Sequence, residues 1–165
     1  MKVFIALIAV LSATAVGALQ NDSQVVRELT DGTFESYLTV SNLAIVDFFA
    51  PWCPHCQSFA PTFEKIAAQA QGKKLNVFFA KVDCAGKGKK VCSKLNIKFL
   101  PTIKMFSDGN SLGDYNGSRK PGAIMEFLEK AVQSPNDVKM LMSDDMGSKI
   151  PSNVSPWHAN EKIHR

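Results

Sequence analysis

Apolar positions recur with two different periods between residues 24 and 133, and the changes of period predict strands and helices in turn. Short apolar runs, of which Leu43–Phe49 is the central one, indicate buried strands because they are too short for helices. Apolar residues three or four positions apart, as at Phe59, Phe63 and Ile66, indicate the buried face of a helix. Strands are expected at 24–29, 43–49, 75–82, 102–106 and 111–115, and helices at 33–40, 53–70, 89–95 and 121–132.

This order of elements predicts the α/β class. Strands that alternate with helices favour parallel pairing, whereas the last two strands, joined by Asp108-Gly109, predict an antiparallel hairpin. We therefore expect one domain over residues 19–133, built on a central mixed sheet with helices on both faces. The hydrophobic content of 45% is ample for one packed core.

The first 18 residues have the pattern of a secretory signal peptide. Lys2 precedes the apolar run Val3–Leu11, and small residues follow up to Ala18. We expect cleavage after Ala18, with cleavage after Ala15 as the alternative. The apolar run is too short to span a bilayer, and no later stretch approaches that length. We expect the mature chain to enter the secretory pathway, where disulfides persist. The ending Lys162–Arg165 lacks a retention signal, so the endoplasmic reticulum lumen and secretion are both open.

The pattern changes again after residue 133. Prolines interrupt any period in residues 134–165, and the apolar residues there are isolated, so we expect a mostly disordered tail. The formal charge of +4 falls to +3 when Lys2 is removed with the signal. The lysine clusters at 73–74 and 87–90 lack interleaved aromatic residues, so we expect solvated loops and no nucleic-acid-binding surface.

Two cysteines three positions apart, Cys53 and Cys56, follow the central strand directly. The strand–turn–helix order places Cys53 at a helix N-terminus, where free N–H groups and the helix dipole stabilise a thiolate. Pro54 suits the first helical turn, and a protonated His55 adds positive charge beside Cys53. Cys56, one turn further on, can close a disulfide with Cys53. The pattern favours reversible thiol–disulfide exchange. One alternative is half of a zinc site, but the sequence offers no second pair of ligands to complete it; the other is an inert pair of core cysteines.

Asp47 interrupts the apolar central strand. Desolvation of a carboxylate at such a position raises its pKa, which makes Asp47 a candidate proton acceptor. A solvent-facing position or a structural ion pair is the alternative.

The segment Val46–Cys56, which reads Val-Asp-Phe-Phe-Ala-Pro-Trp-Cys-Pro-His-Cys, resembles the active-site segment of the thioredoxin superfamily, in particular that of one catalytic domain of a protein disulfide isomerase. The resemblance covers about residues 23–133 and implies a thioredoxin-like fold. It also implies an enzyme that forms and rearranges disulfides in secretory-pathway proteins without a metal or organic cofactor. Pro54 departs from the glycine usual in isomerases and is similar to the bacterial periplasmic dithiol oxidase, so the balance between oxidase and isomerase is open.

The resemblance also implies roles for residues outside the Cys-Pro-His-Cys motif. Asp47 and Lys81 match the buried acid and nearby lysine beneath the family's disulfide, where the acid takes the Cys56 proton through water. Arg119 matches an arginine whose charge stabilises the thiolate of the second cysteine; the alternative is a surface arginine at a helix start. Cys84 and Cys92 match a second, structural disulfide of some isomerase domains, with two free thiols or a regulatory pair as alternatives.

Leu100-Pro101 matches the family's cis-proline, whose preceding backbone pairs with an added substrate strand. We expect substrate to contact four residues near the cysteines: Trp52, Pro54, Leu100 and Pro101. The expected partners are unfolded or misoxidised secretory proteins with cysteines, and a thiol oxidant or glutathione as the electron partner.

Two other functions fit the same features. In the first, the chain is a chaperone or secreted binding module and the redox pair is incidental. In the second, it is a thioredoxin-like reductant, which is disfavoured because the signal directs the chain away from cytosolic reducing systems.

Overall fold

The computed structural model describes residues 25–134, 137–138 and 142, and these residues follow the predicted order of elements. The elements are β1 (Arg27–Leu29), α1 (Phe34–Thr39), β2 (Ala44–Phe49), α2 (Pro54–Gly72), β3 (Phe78–Asp83), α3 (Lys89–Lys94), β4 (Thr102–Ser107), β5 (Asn110–Asp114) and α4 (Pro121–Gln133). The predicted signal peptide and most of the predicted tail lie outside the described residues and stay predictions. Val138 of the tail region is buried in the hydrophobic core.

The strands form one five-stranded sheet in the order β1-β3-β2-β4-β5. β3 pairs in parallel with both β1 and β2, whereas the β2–β4 and β4–β5 pairs are antiparallel. The sheet is therefore mixed, which confirms the predicted α/β class and its thioredoxin-like arrangement.

β2 lies at the centre of this sheet and is covered on both faces. Leu43, which precedes the strand, and Ile45 contribute to the apolar cluster beneath α2 and α4. The alternate residues Val46 and Phe48 contribute to the cluster beneath α1 and α3. Because side chains alternate across a strand, Asp47 shares the α2 face with Ile45, and burial on both sides explains why β2 reads as an almost continuous apolar run.

Helix α2 ends two residues later than the sequence predicts. The helix continues to Gly72, and the left-handed backbone that ends it is found at Lys74, with φ of 55°. The Leu75 N–H then donates to Ala70 O, and β3 begins only at Phe78. The predicted third strand, 75–82, thus started too early because its first residues belong to the helix–strand turn.

A disulfide between Cys84 and Cys92 joins the residue after β3 to α3. Cys84 is also tied to the central strand, since its backbone N–H donates to Phe49 O at 2.8 Å. Cys92 is buried in the cluster beneath α1 and α3. The disulfide therefore holds α3 against the end of the sheet from which α2 begins.

Within the part of the chain that the structure describes, no helix has the length and apolar character needed to cross a membrane.

The Cys84–Cys92 disulfide should stabilise the domain through its effect on the unfolded chain. It closes a short loop with a sequence separation of 8, for which the chain-entropy model gives roughly 2.5 kcal/mol. In a Cys53→Ser/Cys56→Ser background, we expect Cys84→Ala/Cys92→Ala to lower the free energy of unfolding in urea by about that amount. The difference should vanish in reductant; equal stability without reductant would contradict the expectation.

Candidate active site

Cys53 is the N-cap residue of α2, directly after the turn that leaves β2. Its extended backbone, with φ of −81° and ψ of 115°, lets its Sγ accept a hydrogen bond from the Cys56 N–H at 3.4 Å. An N-cap side chain normally satisfies one of the free N–H groups of the first turn, and here a sulfur does so. This hydrogen bond and the positive end of the helix dipole both stabilise negative charge on Cys53.

The turn before Cys53 is held by short-range hydrogen bonds. Pro54 occupies the first helical position, where its missing N–H leaves no intrahelical hydrogen bond unmade. The Cys53 N–H donates to Ala50 O, and Gln57 Nε2 donates to Pro51 O at 2.6 Å. The residues between strand and helix therefore fix the position of Cys53 locally.

Cys56 lies at the third position of α2 and is buried with Cys53 and Ala50. Both cysteines are free thiols in the structure. Burial raises the pKa of the Cys56 thiol to about 12, with smaller contributions of the same sign from its hydrogen bond with Cys53 and from the charges of Cys53 and Asp47. The two thiols thus differ: one accepts a helix N–H, and the other is held in its neutral form.

The Leu100-Pro101 segment lies against the first cysteine. Its peptide bond is cis, and the Cys53 thiol donates to Leu100 O over 3.7 Å. Arg119, in the segment between β5 and α4, donates from Nη2 to Pro101 O at 2.8 Å. Its guanidinium carbon also lies 5.9 Å from the centre of the Phe59 ring of α2. Arg119 therefore bridges the Leu100-Pro101 segment, here called the proline loop, and helix α2. The sequence did not predict this bridge.

Asp47 is the buried charge that the sequence pattern indicated, with only 4% of its surface exposed. It is paired in register with Lys81 of β3 on one side and with Ile103 of β4 on the other. Its Oδ1 atom has no hydrogen-bond partner among the described residues. Burial therefore raises the pKa of Asp47 to about 7, against the opposing charges of Arg119 and Lys81.

Lys81 connects this buried carboxyl to the protein surface. Its side chain is 25% exposed, and its Nζ lies 3.9 Å from Oε1 of Glu64 on α2. Glu64 was not among the predicted site residues, because one glutamate on an exposed helix face resembles any other. Its helical position beside the core residue Phe63, at the border of the apolar face, was the available signal.

The surface around the cysteines carries exposed apolar side chains. Trp52, next to Cys53, is 71% exposed, and Phe99, next to Leu100, is 69% exposed. Pro54 and His55 are also exposed, whereas Pro101 is buried. Phe99 was not among the predicted substrate contacts, and its place beside the Leu-Pro pair was the only signal for it. The chain thus carries a large exposed apolar side chain next in sequence to each of the two residues in contact, Cys53 and Leu100.

Comparisons with known proteins identify the class to which this fold and site belong. The thioredoxin family model matches residues 25–130. Protein disulfide-isomerase A3 of Gallus gallus is 39% identical over 141 residues, which cover 81% of this chain and 27% of the relative. The probable protein disulfide-isomerase ER-60 of Schistosoma mansoni is 37% identical over 127 residues, covering 73% and 26%. The first thioredoxin domain of mouse protein disulfide-isomerase A4 superposes with a TM-score of 0.60 at 27% identity, covering 86% of this chain and 95% of that domain.

The chain belongs to the thioredoxin family. Its similarity to protein disulfide isomerases supports a thiol–disulfide oxidoreductase and confirms the resemblance carried by the Val46–Cys56 segment. The chain spans about a quarter of the length of these curated relatives.

The different environments of the two thiols predict a fixed order of alkylation. After reduction, iodoacetamide near neutral pH should modify Cys53 first, because its sulfur accepts the helix N–H, whereas burial raises the pKa of Cys56 to about 12. Peptide mapping by mass spectrometry at increasing times checks the order. Earlier modification of Cys56 would contradict this order.

The raised pKa of Asp47 predicts how stability depends on pH. The folded-state pKa of about 7 lies above the ordinary value of 3.8 for an aspartate, so the folded state binds this proton more tightly. Stability should therefore fall as pH rises from about 4 to 7 and stay constant above, by up to about 4 kcal/mol from this group. We expect Asp47→Asn to match the wild type near pH 4 and to exceed it at pH 8. Urea unfolding across this range checks the difference, and parallel curves would contradict it.

Proposed function

We propose that this chain is a thiol–disulfide oxidoreductase of the protein disulfide isomerase type, which forms and rearranges disulfides in secretory-pathway proteins through its Cys-Pro-His-Cys site. The observation that carries the proposal is the pairing of Cys53, as N-cap of α2, with the buried Cys56 one turn inside the helix. One sulfur is suited to attack or to leave, and the other to resolve. Neither step needs a metal or an organic cofactor.

During oxidation the Cys53–Cys56 disulfide takes two electrons from the client. A client thiolate attacks Cys53 Sγ, the Cys53–Cys56 bond breaks, and Cys56 takes up a proton. A second client thiolate then attacks the mixed disulfide, and Cys53 leaves as the thiolate that the helix N-terminus stabilises. During isomerisation the reduced Cys53 attacks a client disulfide instead, and a client thiolate later displaces it with no net change in electrons.

Cys56 releases the client when the mixed disulfide persists. Asp47 is the group suited to remove the proton from Cys56. Cys56 must lose its proton to attack Cys53, which breaks the bond to the client and closes the Cys53–Cys56 disulfide. The hydrogen bond and the charge that Cys53 contributes to the raised pKa of Cys56 disappear once Cys53 is bonded to the client. A carboxylate with a pKa of about 7 can accept a proton near neutral pH and release it again. Lys81 and Arg119 stabilise the ionised form of Asp47.

Client binding is assigned to the surface beside Leu100. The Leu100 carbonyl already contacts Cys53, so a client segment paired with this backbone as an added strand has its sulfur next to the nucleophile. Trp52 and Pro54, the sequence neighbours of Cys53, supply exposed apolar surface. Unfolded or misoxidised proteins with cysteines fit this surface, and a thiol oxidant or glutathione would restore the redox state.

The secretory compartment is the proposed place of action, in the endoplasmic reticulum lumen or outside the cell. The names of the similar isomerases and the signal-like residues 1–18 support it.

The redox potential separates this function from that of a reductant. Pro54 stiffens the turn between the cysteines, and the Pro54-His55 dipeptide resembles that of a bacterial oxidase. We therefore expect the redox potential of the Cys53–Cys56 pair to lie near isomerase values. Those values lie about 90 mV above that of thioredoxin, or roughly 4 kcal/mol for two electrons. Equilibration with glutathione buffers measures the potential, and a value as low as that of thioredoxin would support the reductant instead. Refolding of a scrambled disulfide substrate measures activity, which Cys53→Ser/Cys56→Ser should abolish.

A binding module is the second candidate, because Trp52 and Phe99 offer exposed apolar surface. The same Cys53→Ser/Cys56→Ser variant distinguishes the two. Suppression of client aggregation that persists unchanged, together with the absence of redox activity in the wild type, would favour the binding module.

A further inference from the structure

Three charged side chains lead from the buried carboxyl of the active site to solvent. Asp47 is 4% exposed, the Lys81 side chain 25%, and the Glu64 side chain 60%. Asp47 and Lys81 are register partners on neighbouring strands, so their side chains leave the same face of the sheet. Glu64 reaches Lys81 from α2, the helix that covers this face and carries Cys56. One ammonium group thus faces two carboxyl groups, one buried and one exposed.

The surroundings of Asp47 leave few other groups to control its charge. Ile103 flanks it on β4 and contributes no charge. Cys56 of α2 faces it as a neutral thiol, and Arg119 faces it from the segment before α4 but is also engaged by Pro101 O. Among the described residues, Lys81 is therefore the cation of the sheet whose charge acts on Asp47, and its position depends on what holds its Nζ.

We propose that Glu64 is a positioning residue for the thiol–disulfide exchange, which holds the Lys81 ammonium toward the surface and so tunes how readily Asp47 exchanges its proton. The inference rests on the proposed function for its place in the reaction. Glu64 and Asp47 compete for the same ammonium group. By drawing Lys81 outward, Glu64 keeps the carboxyl from being locked in its ionised form.

The proton balance of the resolving step explains why the position of Lys81 affects the reaction. Asp47 accepts the Cys56 proton as the Cys53–client bond breaks and the Cys53–Cys56 bond forms, and the client leaves as a thiolate. Asp47 must then pass the same proton to water before the next cycle. A carboxyl paired closely with Lys81 would release the proton easily but accept it poorly. An acceptor balanced near neutral pH does both.

Removal of the Glu64 charge has a definite expected sign. In Glu64→Gln, Lys81 loses its outer partner and Asp47 loses a nearby negative charge, and both changes favour ionised Asp47. We expect the titration midpoint of Asp47 to fall by about half a pH unit, which corresponds to an approximately threefold larger ionised fraction below the midpoint. Carbon-13 NMR of the aspartate carboxyl groups in the reduced full chain measures the midpoint, with Asp47→Asn assigning the signal.

A second background tests whether Glu64 acts through Lys81. In Lys81→Met, the further change Glu64→Gln should shift the midpoint by less than half as much. An equal shift in both backgrounds, no shift, or an upward shift in Glu64→Gln would overturn the proposal. The matched control is Glu129→Gln, which removes the ion pair between Lys73, the residue after α2, and Glu129 of α4 and should leave the midpoint unchanged.

The rate of mixed-disulfide resolution gives a second readout. Its pH profile in Glu64→Gln should move down by the same shift as the NMR midpoint; an unmoved profile would overturn the role of Glu64 in the reaction. If the wild type performs no exchange at all, the proposed function fails. The NMR midpoints would still decide whether Glu64 positions Lys81.

Discussion

The hydrogen bond from the Cys56 N–H to Cys53 Sγ ties the reactive sulfur to the first turn of α2. This contact requires that the chain leave β2, turn through Ala50–Trp52 and begin a helix within a few residues. A free N–H group at that point has to find an acceptor, and the sulfur is the acceptor provided. The change from strand to helix therefore places the Cys53 sulfur where a helix N–H group can stabilise it. The Leu100 carbonyl, brought alongside by the sheet, completes its surroundings.

A conflict between stability and function lies directly beneath this helix. Asp47 occupies the centre of the sheet, where an apolar residue of the same size would avoid the cost of burying a carboxyl with one unpaired oxygen. Lys81 and Arg119 reduce that cost without removing it, since the pKa of Asp47 stays raised. The proposed proton transfer needs this incomplete compensation, because a fully paired carboxylate would be a weak acceptor.

The parts of this structure that depend on neighbours in the sequence could be predicted, and those that depend on distant elements could not. The central strand, the helix start at the two cysteines and the Asp108-Gly109 hairpin follow from apolar periods and turn residues. Asp47 was identifiable because a charge inside an apolar strand stands out. Glu64, Phe99 and the hydrogen bond between Arg119 and Pro101 were missed, because nothing local distinguishes an exposed glutamate, phenylalanine or arginine from its equivalents. These residues become recognisable as parts of the site only when the fold brings α2, the proline loop and the segment before α4 together.

The two outer strands have a consequence for how the domain coexists with other chains. β1 has only three residues, and β5 pairs with β4 through a register irregularity between Met105 and Phe106. Short or irregular edge strands offer few aligned N–H and C=O groups for another strand to join. A protein proposed to act on unfolded polypeptides encounters many extended segments that could pair with an exposed strand. Its sheet offers such chains few places to pair along its flanks, which agrees with the proposed client contact at the end that carries the cysteines.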